Sequence, residues 1–247
     1  MNILCLHGTG TNISVRFATW SREGFSDKRQ IFQLQSAALR HELERDGMSF
    51  EYAQGGLRCP VAEEIAGLFP DDSDFYTYYD PREAHTIVEA EDQLLEMLRE
   101  REGQFDGILA FSESAALAAA LIIRHARENP FKAERLFRFA IFICGLSPFD
   151  HETLGVDGGL LASKPTRVKP DDNKSRDEHL INIPTYHVMG SEDELYHYGL
   201  ALYNCCDPEM AIKTIHRGGH EIPSQVELVK EMTRNINATI QRANFMC

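Results

Sequence analysis

The chain has 247 residues, 43% hydrophobic and 26% charged, with a formal net charge of −13. This profile excludes a disordered chain, and the acidity argues against a nucleic-acid binder, which needs a basic face. The length suits one α/β domain, 1–247, with a core that needs no disulfide or metal staple.

The first apolar run, 3–6, reads as a buried strand that starts at once, so no signal peptide is expected. No apolar run reaches the length of a membrane span. Cys5 and Cys144 sit inside apolar runs, and the six cysteines form no C-x-x-C pair. They read as reduced core cysteines of a cytoplasmic protein. After the first strand comes His7-Gly8-Thr9-Gly10-Thr11-Asn12. A glycine-rich turn there aims backbone N–H groups at a developing oxyanion, and Thr9 is the candidate donor. A phosphate loop fails, since neither G-x-G-x-x-G nor G-K-[ST] is present.

Residues 12–28 read as a loop and 30–45 as a helix, followed by a strand at 50–53. The stretch 60–81, rich in Asp, Tyr and Pro, reads as a second long loop. Its Phe75, Tyr76, Tyr78 and Tyr79 either line an acyl pocket or form a satellite hydrophobic cluster. A helix is expected over 81–102, where Ile87, Ala90, Leu94 and Leu98 recur at helical spacing.

A strand at 107–111 runs into Ser112 and at once into an alanine-rich helix, 113–128. That is the setting of a nucleophile elbow, whose tight turn needs small residues two before and two after the serine. Ala110 and Ser114 stand there. The helix N-terminus and the Glu113 amide complete a candidate oxyanion site. The competing reading makes Ser112 and Ser114 helix caps, with Ser114 a rival nucleophile poorly placed in the first turn.

Strands follow at 139–144, 185–189 and 211–215, with helices at 195–204 and 224–243 and a third long loop at 155–182. Alternating β and α elements predict a mostly parallel sheet with helices on both faces and the site at the strands' carboxyl ends. Gly190-Ser191-Glu192-Asp193-Glu194 puts a carboxylate between strand and helix, with the three acids competing for one role. His216-Arg217-Gly218-Gly219-His220 follows the last strand and places a histidine in a glycine loop. Its H-x-x-x-H spacing lacks a helix and a third ligand, so neither metal nor cofactor is expected. The order serine, acid, histidine is that of the α/β-hydrolase fold.

These segments resemble the FSH-type serine hydrolases over nearly the whole chain. The likeness rests on Ile3-Leu4-Cys5-Leu6-His7-Gly8, the 106–112 elbow, Gly190-Ser191-Glu192-Asp193 and His216 to Pro223. It is closest to the fungal branch, through Thr9-Gly10-Thr11-Asn12, Ile31-Phe32-Gln33-Leu34-Gln35 and the 75–81 segment. The resemblance implies the triad Ser112, Asp193 and His220 and cleavage of an ester or thioester. It further implies a free-standing thioesterase that releases a polyketide-type acyl chain from an acyl-carrier domain, by hydrolysis or ring closure. A general carboxylesterase and a non-catalytic ligand-binding relative are the alternatives. Two departures stand out. The elbow has Ala110 and Ser114 where relatives carry glycine, and 13–29 holds roughly fifteen extra residues, beyond a usual βα loop. The insertion reads either as a lid or as a gene-model artefact such as a retained intron. An acidic carrier would need a basic patch; the candidates are Arg124, Arg127, Lys132, Arg135 and Arg138, and Lys164, Arg167, Lys169, Lys174 and Arg176.

Overall fold

The computed structural model describes residues 1–12, 31–62, 66, 74–130, 135–150, 154, 165–168 and 179–246. The expected insertion at 13–29 and most of the 155–182 loop lie outside them, as do Lys132, Lys164, Lys169, Lys174 and Arg176. In chain order the elements are β1 (Asn2–Leu6), α1 (Ile31–Gln35), α2 (Ala37–Arg45), β2 (Ser49–Ala53), β3 (Leu57–Arg58), β4 (Tyr76–Thr77), α3 (Ala84–Glu100), β5 (Gly107–Phe111), α4 (Glu113–Glu128), β6 (Phe139–Ile143), β7 (Thr185–Gly190), α5 (Tyr196–Asn204), β8 (Ala211–His216) and α6 (Val226–Phe245).

Six strands form a sheet in the order β2-β1-β5-β6-β7-β8, with every neighbouring pair parallel. The central strands β5 and β6 are buried at every residue, because helices cover both faces. The edge strand β8 alternates more, and its Ile215 is exposed. Successive side chains go to opposite faces. Leu4, Leu6, Ile108, Ala110, Ala140 and Phe142 join the core under α3 and α4. Ile3, Cys5, Leu109, Phe111, Ile141 and Ile143 join the core under α2 and α6, with Leu39, Met232 and Ile236.

The expected 30–45 helix is broken at Ser36, whose hydroxyl donates to the Phe32 carbonyl at 2.8 Å. Such back-bonding competes with the helical ladder and bends it. The ribbon of β3 and β4 was not expected as strands. Two residues per strand are too few to show a period. Among the described residues no helix is long and apolar enough to cross a membrane.

The order fixes the site. From β1 the chain crosses to β2 on one side, whereas from β5 it crosses to β6 on the other. The turns after β1 and β5 therefore meet at a topological switch point, where such sheets leave a crevice.

Candidate active site

Ser112 follows β5 directly and has φ 62° and ψ −129°. Few L-residues adopt that conformation, and holding it costs about 1–3 kcal/mol. The neighbours show how it is held. Ala110 is fully buried and pairs with Leu6 of β1 and Phe142 of β6. The Ser114 hydroxyl accepts the Phe111 amide at 3.1 Å and lies 2.9 Å from the Leu6 and Phe111 carbonyls. Ser114 is thus fully buried and braces the turn, which removes it as a rival nucleophile. Ser112 does not cap the helix with its side chain either. Its hydroxyl points elsewhere.

That hydroxyl lies 2.7 Å from His220 Nε2, and His220 Nδ1 lies 2.7 Å from Asp193 Oδ2. The other Asp193 oxygen accepts the Leu195 amide at 2.8 Å, so both oxygens are fixed. Asp193 is buried, whereas Glu192 and Glu194 are exposed and Glu192 faces Arg217. Burial separates the three acids that spacing alone left competing. Gly190 makes the approach of the histidine loop possible. A Cβ there would sit 2.2 Å from the Gly219 carbonyl oxygen and 2.4 Å from that of Gly218. The Glu192 amide donates to that Gly218 carbonyl at 2.9 Å. Cys144, at φ 45°, lies under the loop with its thiol 3.4 Å from the Glu221 carbonyl. Burial, with the Asp193 carboxylate adding to it, pushes this thiol up to about 12, so it stays protonated. Phe111 packs on the His220 ring at 5.3 Å between centroids.

Gly8 brings the β1 turn against the elbow. A Cβ on Gly8 would lie 2.8 Å from the Phe111 ring and 3.2 Å from Ser112 Cβ. Gly8 thus lies against Ser112, with Thr9 next to it in the chain, and Glu113 follows Ser112 as the first residue of α4. Backbone amides and a helix N-terminus beside a nucleophile are the groups that can hold an oxyanion.

His7, which the sequence shows only as part of a turn motif, anchors this loop. Its Nε2 accepts the Gly55 amide at 2.9 Å, which puts the proton on Nδ1, 2.7 Å from the Gly8 carbonyl. Burial pulls its pKa down to about 4, against the raising effect of the Gly8 bond, so the ring is neutral. Tyr78 donates to the Ala53 carbonyl at 2.6 Å and accepts the His7 amide at 3.3 Å. Tyr76 bonds to the loop through its backbone, accepting from Gly10 at 3.1 Å and donating to Thr11 at 2.9 Å. Phe75 accepts the Cys59 amide through its carbonyl.

Tyr79 is buried, and its hydroxyl lies 2.5 Å from a Glu113 carboxylate oxygen and 2.9 Å from the Glu113 carbonyl. Burial and the Glu113 charge together keep this phenol protonated. The same carboxylate takes both oxygens to Arg167 Nη2, at 2.9 and 2.8 Å. Nothing in the spacing of residues 113 and 167 signals that pair. Of the basic stretches, Arg124 is paired with Asp92 and Glu128, Arg138 with Asp106, and Arg167 with Glu113.

A parallel α/β sheet with a serine on a strained strand–helix turn at its switch point, hydrogen-bonded in series to a histidine and a buried carboxylate from later loops, defines a serine hydrolase of the α/β-hydrolase class. Comparison with known proteins narrows this. The family model described as "Serine hydrolase (FSH1)" matches residues 1–232, and the chain belongs to that family. Esterase FPY3 of Fusarium mangiferae is 33% identical over 245 residues, covering 98% of each chain. Hydrolase phiM of Talaromyces stipitatus is 29% identical over 262 residues, covering 99% of this chain and 88% of the relative. Among solved structures, a point variant of Arabidopsis thaliana SOBER1 superposes with a TM-score of 0.56 at 14% identity, covering 97% of this chain and 99% of that one. ClbQ from the colibactin NRPS/PKS pathway gives 0.50 at 12% identity, covering 97% and 98%. These two likenesses are of fold.

Proposed function

We propose that this serine hydrolase cleaves ester or thioester bonds through an acyl-enzyme on Ser112, with His220 as base and Asp193 as its partner. The observation that carries the reading is the unbroken chain from Ser112 Oγ to His220 to Asp193, with 2.7 Å at each link. His220 Nε2 takes the hydroxyl proton as Oγ attacks the carbonyl carbon, and Asp193 stabilises the imidazolium. The Thr9 and Glu113 amides bind the oxyanion; losing one such donor costs about 3–4 kcal/mol in comparable enzymes. His220 then protonates the leaving group. Water, or a hydroxyl of the acyl chain itself, attacks the acyl-enzyme, giving acid or lactone.

For the substrate, the fungal-branch resemblance supports a polyketide-type thioester on a carrier domain. The esterase names of the relatives favour the second reading, a small free ester. Both use the same residues. The pairing of Arg124, Arg138 and Arg167 with carboxylates supports carrier docking elsewhere than on those arginines. Phe75, Tyr76, Tyr78 and Tyr79 are the candidates for contact with the acyl chain, Tyr78 and Tyr79 through their rings, since their hydroxyls bond to protein partners.

Ser112→Ala tested on a short p-nitrophenyl ester should lose turnover by a factor on the order of 10⁴ or more. Undiminished turnover rejects the nucleophile. Single-turnover assays with an acyl-carrier thioester and a matched free ester rank the two substrates.

A further inference from the structure

A carboxylate at residue 113 is an odd neighbour for an oxyanion site. Glu113 is the first residue of α4, and its own amide is one of the two donors proposed for the oxyanion. An acid in the first turn favours the helix, but it cancels the positive potential that the helix N-terminus offers an anion. The Glu113 side chain is four-fifths buried, so water screens it poorly.

Among the described residues one counter-charge meets Glu113. Arg167 Nη2 reaches both Glu113 oxygens, at 2.9 and 2.8 Å. Its Nη1 donates to the Ser147 carbonyl at 2.5 Å, and its guanidinium carbon lies 4.2 Å from the centroid of the Phe149 ring. The Ser147 segment touches the elbow in turn, since the Leu146 amide donates to the Ser112 carbonyl at 3.4 Å. Backbone pairing holds Arg167 in place whatever its side chain does. The Asp150 amide donates to Thr166 at 2.7 Å, and the Val168 amide to Pro148 at 2.8 Å, on either side of a bridge between Phe149 and Arg167. The guanidinium is therefore not needed to fix its own segment. Its distinctive contribution is charge, delivered to both carboxylate oxygens from one guanidinium nitrogen while the other holds the Ser147 carbonyl.

We propose that Arg167 is a positioning residue that neutralises Glu113, so that the oxyanion beside the Glu113 amide develops next to an ion pair and not next to a bare carboxylate. This rests on Ser112 being the nucleophile. Substrate need not touch Arg167; its effect falls on the charge-separated transition state and hence on kcat.

The test compares wild type, Arg167→Met, Arg167→Lys and the double variant Glu113→Gln/Arg167→Met on a p-nitrophenyl ester. Folding is checked by circular dichroism and Ser112 by fluorophosphonate labelling. Arg167→Met should lower kcat roughly 10- to 100-fold with KM nearly constant, as expected for an unpaired charge close to the reacting centre. The double variant, which lacks the whole pair but leaves no bare charge, should recover most of that loss. Arg167→Lys should stay within about tenfold of wild type, because the charge is kept although the stacking on Phe149 and the second nitrogen are lost. Wild-type kcat in Arg167→Met, a rise confined to KM, or no recovery in the double variant overturns the proposal. If Arg167→Met does not fold, a fall of more than about tenfold in folded Arg167→Lys does the same. Failure of the underlying reading looks different: Ser112 would not label in wild type, and Ser112→Ala would stay active.

Discussion

The two turns that meet at Ser112 are built in opposite ways. The turn after β5 has a brace of its own: Ser114, two residues on, fastens the Phe111 amide and carbonyl, and α4 starts at once, with the Leu6 and Ile143 carbonyls adding outside contacts. The turn after β1 is held from outside. Gly55 and Tyr78 fasten His7, the Tyr76 backbone fastens Gly10 and Thr11, and Asn12 donates to the Asp74 carbonyl at 2.8 Å. A turn with a brace of its own depends less on any one distant residue. A turn braced by residues roughly 40 to 70 positions away depends on the rest of the fold.

Substitutions test the two turns separately. The largest effect is expected for His220→Ala, which removes the chemistry of the elbow without touching its shape. Turnover of a p-nitrophenyl ester should fall by a factor on the order of 10⁴ to 10⁶ with little change in Tm. His7→Gln attacks the other turn from below. It should lower kcat by roughly 10²-fold, because a displaced Thr9 amide no longer meets the oxyanion.

His7 also sets a pH signature. Its folded pKa of about 4 lies below the ordinary 6.5. The neutral ring thus contributes stability that is present above pH 6.5 and is lost as pH falls towards 4, on the order of 3 kcal/mol. Urea midpoints measured across that window should fall for wild type and fall less for His7→Gln. A residual slope is expected from His187, whose burial, helped by the Lys213 charge, lowers its pKa to about 3 in the same direction.

Tyr78→Phe is a smaller change of the same kind. It strands the Ala53 carbonyl and the His7 amide, and should cost about 1–3 kcal/mol of unfolding free energy with a partial loss of kcat. Ser114→Ala should cost about 1–2 kcal/mol while kcat falls less than about tenfold, since α4 and β5 still set the turn. A collapse of activity in Ser114→Ala, together with normal activity in His7→Gln, would reverse the comparison.

The same contrast governs how much could be read in advance. All six strands of the main sheet were legible, because β5 and β6 are continuous apolar runs and the others follow the βα alternation. That Ser112, Asp193 and His220 could come together was legible because each follows a strand with glycine or small residues beside it; their roles are the proposal. The departure at Ala110 and Ser114 proved to be a different way to build the elbow, with a buried hydroxyl in the place of a second glycine. The supports of the β1 turn were not legible. His7, Gly55, Tyr76 and Tyr78 come together through tertiary packing and the two-residue ribbon, which leaves no period in the sequence. Arg167 read as one of five charges in a basic stretch, and only the fold brings it to Glu113.

The most direct test of the central claim is fluorophosphonate labelling of the wild-type protein, with the modified peptide identified by mass spectrometry. One adduct on Ser112, formed in step with loss of esterase activity and absent from Ser112→Ala, is the expected result. An adduct on another residue, or full activity with Ser112 modified, would contradict the assignment of Ser112 as the nucleophile.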